Sequence, residues 1–273
     1  MEQLYTRIAP PARLSVFNAK KIWQYRELLL AFALKDFKIL YVQTYLGYAW
    51  AVVNPLLTVM VLAFVFGTVG HVNTGTIPYL LFTLAGMIGW NFIANVANEI
   101  SRSMVNAREI ITKVYFPRAI LPLSKVLSGL VELGISLICL FVFMVIYQYP
   151  LSANFIFFPL FLLLVILTSL MVGLWVCTVS VLYRDFFFVI PFMLRLGIFL
   201  TPVAYPITAI PPKYQWLLAL NPLSGAIEGL RWSVLGNYAL PDYVGISIGL
   251  SVVLFVFSLF YFKKIEHHIA DLL

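Results

Sequence analysis

From residue 48 onward the chain consists of long apolar runs separated by short polar breaks. A helix that crosses the hydrocarbon core needs about 20 mainly apolar residues. Residues 48–69 and 77–98 meet that length without a single Lys, Arg, Asp or Glu. Residues 119–147 form a longer run that carries Lys125 and Glu132, so its first turns belong at a membrane surface while 133–147 lies deep. Residues 154–183 are free of charge and long enough to cross with tilt. Residues 186–207 are interrupted only by Arg195, and 243–262 closes the series. The pattern predicts an all-α polytopic membrane protein with six transmembrane helices.

Between the last two runs, residues 208–242 are too apolar for a loop and too broken for a crossing. Pro211, Pro212, Pro222 and Pro241 cut the segment into two short helical pieces, 216–220 and 223–235. Irregular backbone at membrane depth survives only where protein or a water-filled cavity satisfies its polar groups. This segment is expected to be a re-entrant helical hairpin on the outer face, with an amphipathic surface segment as the alternative.

The basic residues then orient the spans. Arg7, Arg13, Lys20, Lys21, Arg26, Lys35 and Lys38 precede the first run; Arg102, Arg108, Lys113 and Arg118 follow the second; Arg184 follows the fourth, and Lys263 and Lys264 the last. The alternate connectors, 71–76 and 148–153, hold no Lys or Arg, and 208–242 holds only Lys213 and Arg231. By the positive-inside rule both termini are cytoplasmic. The expected organisation is a cytoplasmic extension (1–47), a six-span membrane domain (48–262) and a cytoplasmic tail (263–273).

Composition narrows the class further. Of 273 residues, 62% are hydrophobic and 11% charged, whereas a soluble domain carries about 25% charge. The net charge of +7 sits at the ends of apolar runs rather than in a surface stripe, which argues against nucleic-acid binding. Cys139 and Cys177 lie inside apolar runs without CxxC spacing, so they read as buried thiols. His267-His268 has no accompanying ligand pattern and reads as solvated tail rather than a metal site. The N-terminus shows no secretory signal pattern.

Two polar stretches could carry mechanism. In the helix 27–41, Leu30, Leu34, Phe37 and Tyr41 share one stripe while Leu28, Phe32 and Ile39 lie nearly opposite, leaving two apolar sides. Such a helix can anchor in the headgroup region or wedge between lipid and a partner. The connector 99–118 is helix-compatible as far as Tyr115 and is halted by Phe116-Pro117. It reads either as a solvated turn or as a docking element. At bilayer depth Lys125, Glu132 and Arg195 should face protein or water; Arg195 could pair with Glu132 or meet a lipid-linked diphosphate, and Glu228 could pair with Arg231 three residues on. Gly225 with Gly229, and Gly245 with Gly249, fit the small-xxx-small pattern of close helix approach.

An ordered set of short motifs runs through this framework: Leu46-Gly47-Tyr48-Ala49-Trp50, Asn54-Pro55, Ile77-Pro78-Tyr79, Gly86 with Trp90, Lys113-Val114-Tyr115-Phe116-Pro117-Arg118, Arg184-Asp185, Thr201-Pro202-Val203-Ala204-Tyr205 and Asn221-Pro222-Leu223. In that order the set resembles the O-antigen and teichoic-acid export permeases of the type-2 ABC exporter superfamily. Thr201 stands where Ser is commoner in that family. Asn54 occupies a position open to other polar or acidic residues.

The resemblance implies a homodimer paired with two copies of a separate cytoplasmic ATPase that binds ATP and Mg, moving a lipid-linked polysaccharide across the bacterial inner membrane. No GxxxxGK[ST] phosphate loop occurs in the chain, so this chain cannot bind nucleotide through that motif, and the resemblance implies no cofactor or catalytic residue of its own. Implied ATPase contacts are Glu27, Lys35, Asp36 and Lys38 on an interface helix, Arg102, Arg108, Lys113, Tyr115 and Phe116 on a coupling helix at 99–116, and Arg184 with Asp185. A conduit for sugar polymers should carry aromatic faces and scattered polar groups rather than fixed charges. Tyr48, Trp50, Tyr79, Trp90, Phe92, Phe199 and Tyr205 are the candidate lining, with the interfacial aromatic belt as their alternative role. Export of drugs or small lipids is the alternative in the same class. An intramembrane transferase is a more distant one, since Glu132 with Asp185 or Asp242 makes a poor catalytic set.

Overall fold

The computed structural model describes residues 19–41, 47–183, 185–236 and 238–266, all helical or irregular. A short helix α1 (Ala19–Gln24) leads into α2 (Arg26–Tyr41). Helix α3 (Trp50–Leu62) runs on through π-helical turns at Ala63–Val69. It is followed by α4 (Tyr79–Asn106), the short α5 (Arg108–Lys113), α6 (Ile120–Ile146), α7 (Phe158–Leu182) and α8 (Phe186–Leu200). Two short pieces, α9 (Trp216–Leu220) and α10 (Pro222–Leu235), precede the final α11 (Tyr243–Glu266).

Five of these elements are long and apolar enough to cross a membrane: 52–69, α4, α6, the run Ala153–Leu182 that contains α7, and α11. The apolar run at 186–207 is shorter as a helix than its composition suggests. α8 stops at Leu200 after 15 residues, about 22 Å, because Thr201 turns extended and Pro202 follows. The charged connector also departs from a single helix over 99–116. Residues Glu99 to Asn106 complete α4, the chain breaks at Ala107, and α5 ends at Lys113 with Val114 extended. That early stop fits the approach of Phe116-Pro117, which bars further helical turns.

Helix α4 is the axis of the bundle, packed against α6, α7 and α10 and more lightly against α3 and α8. Glycines let its neighbours come close. A methyl group added at Gly173 of α7 would stand 2.5 Å from Ile100, and one at Gly129 of α6 would stand 2.6 Å from Val96. Several buried hydroxyls along the seams bond to the preceding turn, as Ser103 does with the Ile100 carbonyl (2.7 Å) and Thr178 with that of Leu174 (2.7 Å). Cys177 is fully buried and Cys139 partly so. Helices α3 and α8, by contrast, leave most of their apolar side chains uncovered within one chain.

At the N-terminal end of α4 the proline-broken segment folds back as two pieces matching those expected at 216–220 and 223–235. Its fixed point is Arg231, which is completely buried. Nε donates to the Phe82 carbonyl at 3.2 Å, Nη1 to Glu228 at 2.7 Å, and Nη2 to the Pro202 and Val203 carbonyls, each at 2.8 Å. The guanidinium lies 3.8 Å over the Phe82 ring. Gly86 is required beside it, because a Cβ there would stand 2.2 Å from Nη2. Around this centre the Tyr79 hydroxyl donates to the Ala204 carbonyl. Asn221 donates to Thr201 Oγ1 at 2.9 Å while its own side-chain oxygen accepts from the Leu223 amide at 3.0 Å. The loop after α6 closes the hairpin: the Tyr149 hydroxyl donates to the Leu235 carbonyl at 3.0 Å and the Ser152 amide to that of Val234 at 3.2 Å. Arg231 is thus a structural cation and not a loop charge that orients the chain.

The expected pairing of Glu228 with Arg231 is therefore present. Gly225 and Gly229 make the close approaches their spacing suggested, to Ser247 of α11 and Phe161 of α7, whereas Gly245 and Gly249 face nothing within 4 Å. Replacing Arg231 by Met strands the Glu228 carboxylate in the interior, and a lone buried charge costs about 3–5 kcal/mol. Thermal denaturation of the purified Arg231→Met protein should show a lowered midpoint. The Arg231→Met/Glu228→Gln double variant should recover only part of it, because the Pro202 and Val203 carbonyls, outside any helix, remain without their donor.

Candidate functional site

A cavity of about 390 Å³ opens between α3, α4 and α6, toward the C-terminal half of α4. Helical spacing builds its walls. Trp50, Asn54 and Thr58 recur every fourth residue on α3; Asn91, Asn95 and Asn98 line successive turns of α4 beside Phe92 and Glu99; Lys125, Ser128, Glu132 and Ser136 do the same on α6. Two of the hydroxyls are occupied on their own helix, Thr58 with the Asn54 carbonyl at 3.1 Å and Ser128 with that of Lys125 at 3.0 Å. The buried Asn98 Oδ1 accepts no hydrogen bond.

Helix α2 packs against the bundle beside Lys125 of the cavity wall. Its inner face is formed by Tyr25, Leu28, Leu29, Phe32 and the buried Ala33, continued by Asp36. Leu30 and Leu34, on the other apolar stripe, are exposed at 49% and 59%. Of the two apolar sides, the bundle takes the one containing Leu28 and Phe32, because Phe32 meets the buried Phe116 at a ring separation of 6.1 Å. Next to that contact Lys125 forms an ion pair with Asp36 at 2.7 Å and lies 3.9 Å from Glu99. One amine thus joins the interface helix, the end of α4 and the floor of the cavity. Around it stand three carboxyl groups, Asp36, Glu99 and Glu132.

The residues singled out from the sequence divide among several places. Trp50 and Phe92 line the cavity. Tyr79 and Tyr205 belong to the hairpin end, where the Tyr205 hydroxyl donates to the Phe199 carbonyl at 2.8 Å. Trp90 is buried against Gly197 of α8, and Phe199 projects from α8 at 58% exposure. The side chain of Tyr48 and all of Arg184 lie outside the described residues, as does His267-His268. Among the residues suggested for ATPase contact, Glu27, Lys35, Lys38, Arg102, Arg108, Lys113 and Asp185 are exposed, as is Tyr115 at 84%. Asp36 and Phe116 instead tie α2 to the bundle. Lys125 and Glu132 share the cavity wall, whereas Arg195 is exposed on α8. The asparagines of α4 were missed in the sequence, although their spacing at 91, 95 and 98 was the available signal.

A family model described as ABC-2 type transporter matches residues 27–235. The chain belongs to that family. This ABC-2 type transporter chain is 28% identical over 249 residues to the "O-antigen export system permease protein RfbA" of Klebsiella pneumoniae, covering 90% of this chain and 95% of that protein. A protein of the same name from Myxococcus xanthus is 27% identical over 226 residues, 82% and 85% of the two chains. The "Polysialic acid transport protein KpsM" of Escherichia coli is 25% identical over 198 residues, 71% and 75%. The match brackets the interface helix at one end and the α10 hairpin at the other. The family resemblance carried by the sequence motifs is borne out.

The Lys125 contacts predict how the interface helix is held in this ABC-2 type transporter chain. Lys125→Met should loosen α2 and raise amide hydrogen exchange across 26–41 at least several-fold, with exchange in α7 unchanged. Asp36→Asn should reproduce most of that effect.

Proposed function

We propose that this chain is the transmembrane permease of an ATP-driven ABC exporter that moves lipid-linked polysaccharide, of the O-antigen kind, across the bacterial inner membrane. The observation that carries the reading is the near full-length similarity to O-antigen export permeases. Two copies of the chain form the conduit and two copies of a separate cytoplasmic ATPase drive it. Both termini are cytoplasmic, since the basic residues of α2, α5 and the tail collect on one side.

In this reading α8 is the sixth crossing. At about 22 Å it is shorter than the roughly 30 Å hydrocarbon core, and the hairpin of α9 and α10 completes the barrier on the outer side. The uncovered apolar faces of α3 and α8 supply the seam between two copies. ATP-driven closure of the ATPase pair presses on α5 and the exposed Tyr115. The push reaches the bundle through Phe116, Phe32 and the Asp36–Lys125 pair, because these contacts join the cytoplasmic elements to α6 and α4. The aromatic residues Tyr48, Trp50, Tyr79, Trp90, Phe92, Phe199 and Tyr205 are the candidate lining of the widened path, and Trp50 and Phe199 are exposed enough to serve within a single chain.

Neutralising Arg102, Arg108 and Lys113 together should abolish co-purification of the ATPase subunit and surface display of polysaccharide, with chain abundance in the membrane preserved. Full export by that triple variant would refute the docking assignment. Unaltered surface polysaccharide after deletion of the gene would refute the exporter reading itself.

A further inference from the structure

The cavity between α3, α4 and α6 has a composition unlike its surroundings. A crossing helix in contact with lipid has no use for three asparagines on successive turns, and the desolvation of each amide disfavours such a placement unless a partner is present. The partner is not supplied by the protein at Asn98, whose buried Oδ1 stays without a hydrogen bond. The chemistry of the walls narrows what could fill the space. Amides both donate to and accept from hydroxyl groups, carboxylates accept from them, and Trp50 at the wall offers an aromatic face for the C–H side of a sugar ring. The volume of about 390 Å³ falls in the range of small-molecule sites.

Charge decides between the two parts of a lipid-linked glycan. Glu99 and Glu132 face the cavity, and the single amine, Lys125, is already engaged by Asp36 at 2.7 Å. A diphosphate would enter a site with a surplus of carboxylates and be repelled. Neutral sugar hydroxyls would be accepted by the same carboxylates.

We propose that this intramembrane cavity in each chain is a binding site for one or two uncharged glycosyl units, held by Asn54, Asn95, Asn98 and Glu132 with Trp50 as the stacking face. The site excludes the diphosphate of a lipid carrier. The inference rests on the exporter reading for its biological source of sugar and on the cavity alone for its chemistry. Because Lys125 forms both the floor of this site and the tie to α2, occupancy and the position of the interface helix are linked.

The test uses the full chain purified in a zwitterionic, sugar-free detergent. Tryptophan fluorescence is followed during titration with methyl α-mannoside, methyl β-galactoside and methyl N-acetyl-β-glucosaminide, and separately with inorganic pyrophosphate. Trp50 is the one tryptophan of the cavity wall, so a saturable change with at least one glycoside, lost in Trp50→Phe and absent with pyrophosphate, is expected. Asn95→Ala and Asn54→Ala alter exposed side chains and should keep the melting temperature of the parent while weakening glycoside binding about tenfold; Asn98→Ala should weaken it comparably. No saturable response to any of the three glycosides overturns the proposal, as does a stronger response to pyrophosphate or a glycoside response unchanged in all the asparagine variants. Cells that export polysaccharide through a chain giving no glycoside response would sink the cavity assignment and leave the exporter reading intact. Saturable glycoside binding by a chain whose deletion spares surface polysaccharide would do the reverse.

Discussion

A guanidinium buried among carbonyl oxygens organises one end of this molecule. Arg231 engages Phe82 on α4, Pro202 and Val203 in the turn after α8, and Glu228 on its own helix. The proline-broken backbone of that turn exposes carbonyls that no helix can satisfy. An arginine is suited to the task because its fork of five donors reaches several acceptors at once and cannot be deprotonated there. The accompanying Glu228 balances the charge, so the buried knot holds no uncompensated ion. Take away the cation, and Phe82, Pro202 and Val203 lose their donor together.

Helix α4 connects that end to the other. The Arg231 contact at Phe82 and the Lys125 approach to Glu99 are about 25 Å apart along one continuous helix, each made by a cation drawn from a different element. Between them α4 is packed by close glycine approaches on α6 and α7, which make it stiff. Helices α2 and α5 therefore lean on a rigid rod whose far end is clamped to the hairpin. The polar cavity lies beside the same rod, bordered by the Lys125 floor. Such an arrangement suits a membrane part that must respond to an outside motor, since pressure on Phe116 and Phe32 has little slack in which to dissipate.

Much of this was visible in the residues before any fold. The apolar runs located α4, α6, α7 and α11, because lipid demands length and hydrophobicity of each crossing separately. Prolines 211, 212, 222 and 241 marked the two hairpin pieces within a residue of where α9 and α10 lie. The motifs that carried the family resemblance have a shared physical cause. Ile77-Pro78-Tyr79, Gly86, the Thr201 to Tyr205 stretch and Asn221-Pro222-Leu223 meet in one hydrogen-bonded knot around Arg231. The spacing of Glu228 and Arg231 offered a local pair, but nothing in the neighbours of Arg231 along the chain reveals three carbonyls arriving from distant segments.

Other features depended on what packs against what. Periodicity showed two apolar sides on α2 but could not choose between them; Phe116, brought up from beyond α5, made the choice. The asparagines of α4 became a site only when α3 and α6 placed Thr58, Ser128 and Glu132 opposite them. By itself the sequence determined where the long apolar helices lie, most of the breaks between them and the family, because those follow from local hydrophobicity, backbone restriction and motif order; it overran the end of α8, which stops at Leu200. Tertiary structure alone decided which charges are paired, which face of α2 is covered and where the cavity opens. These properties depend on groups far apart in the chain meeting at hydrogen-bond distance.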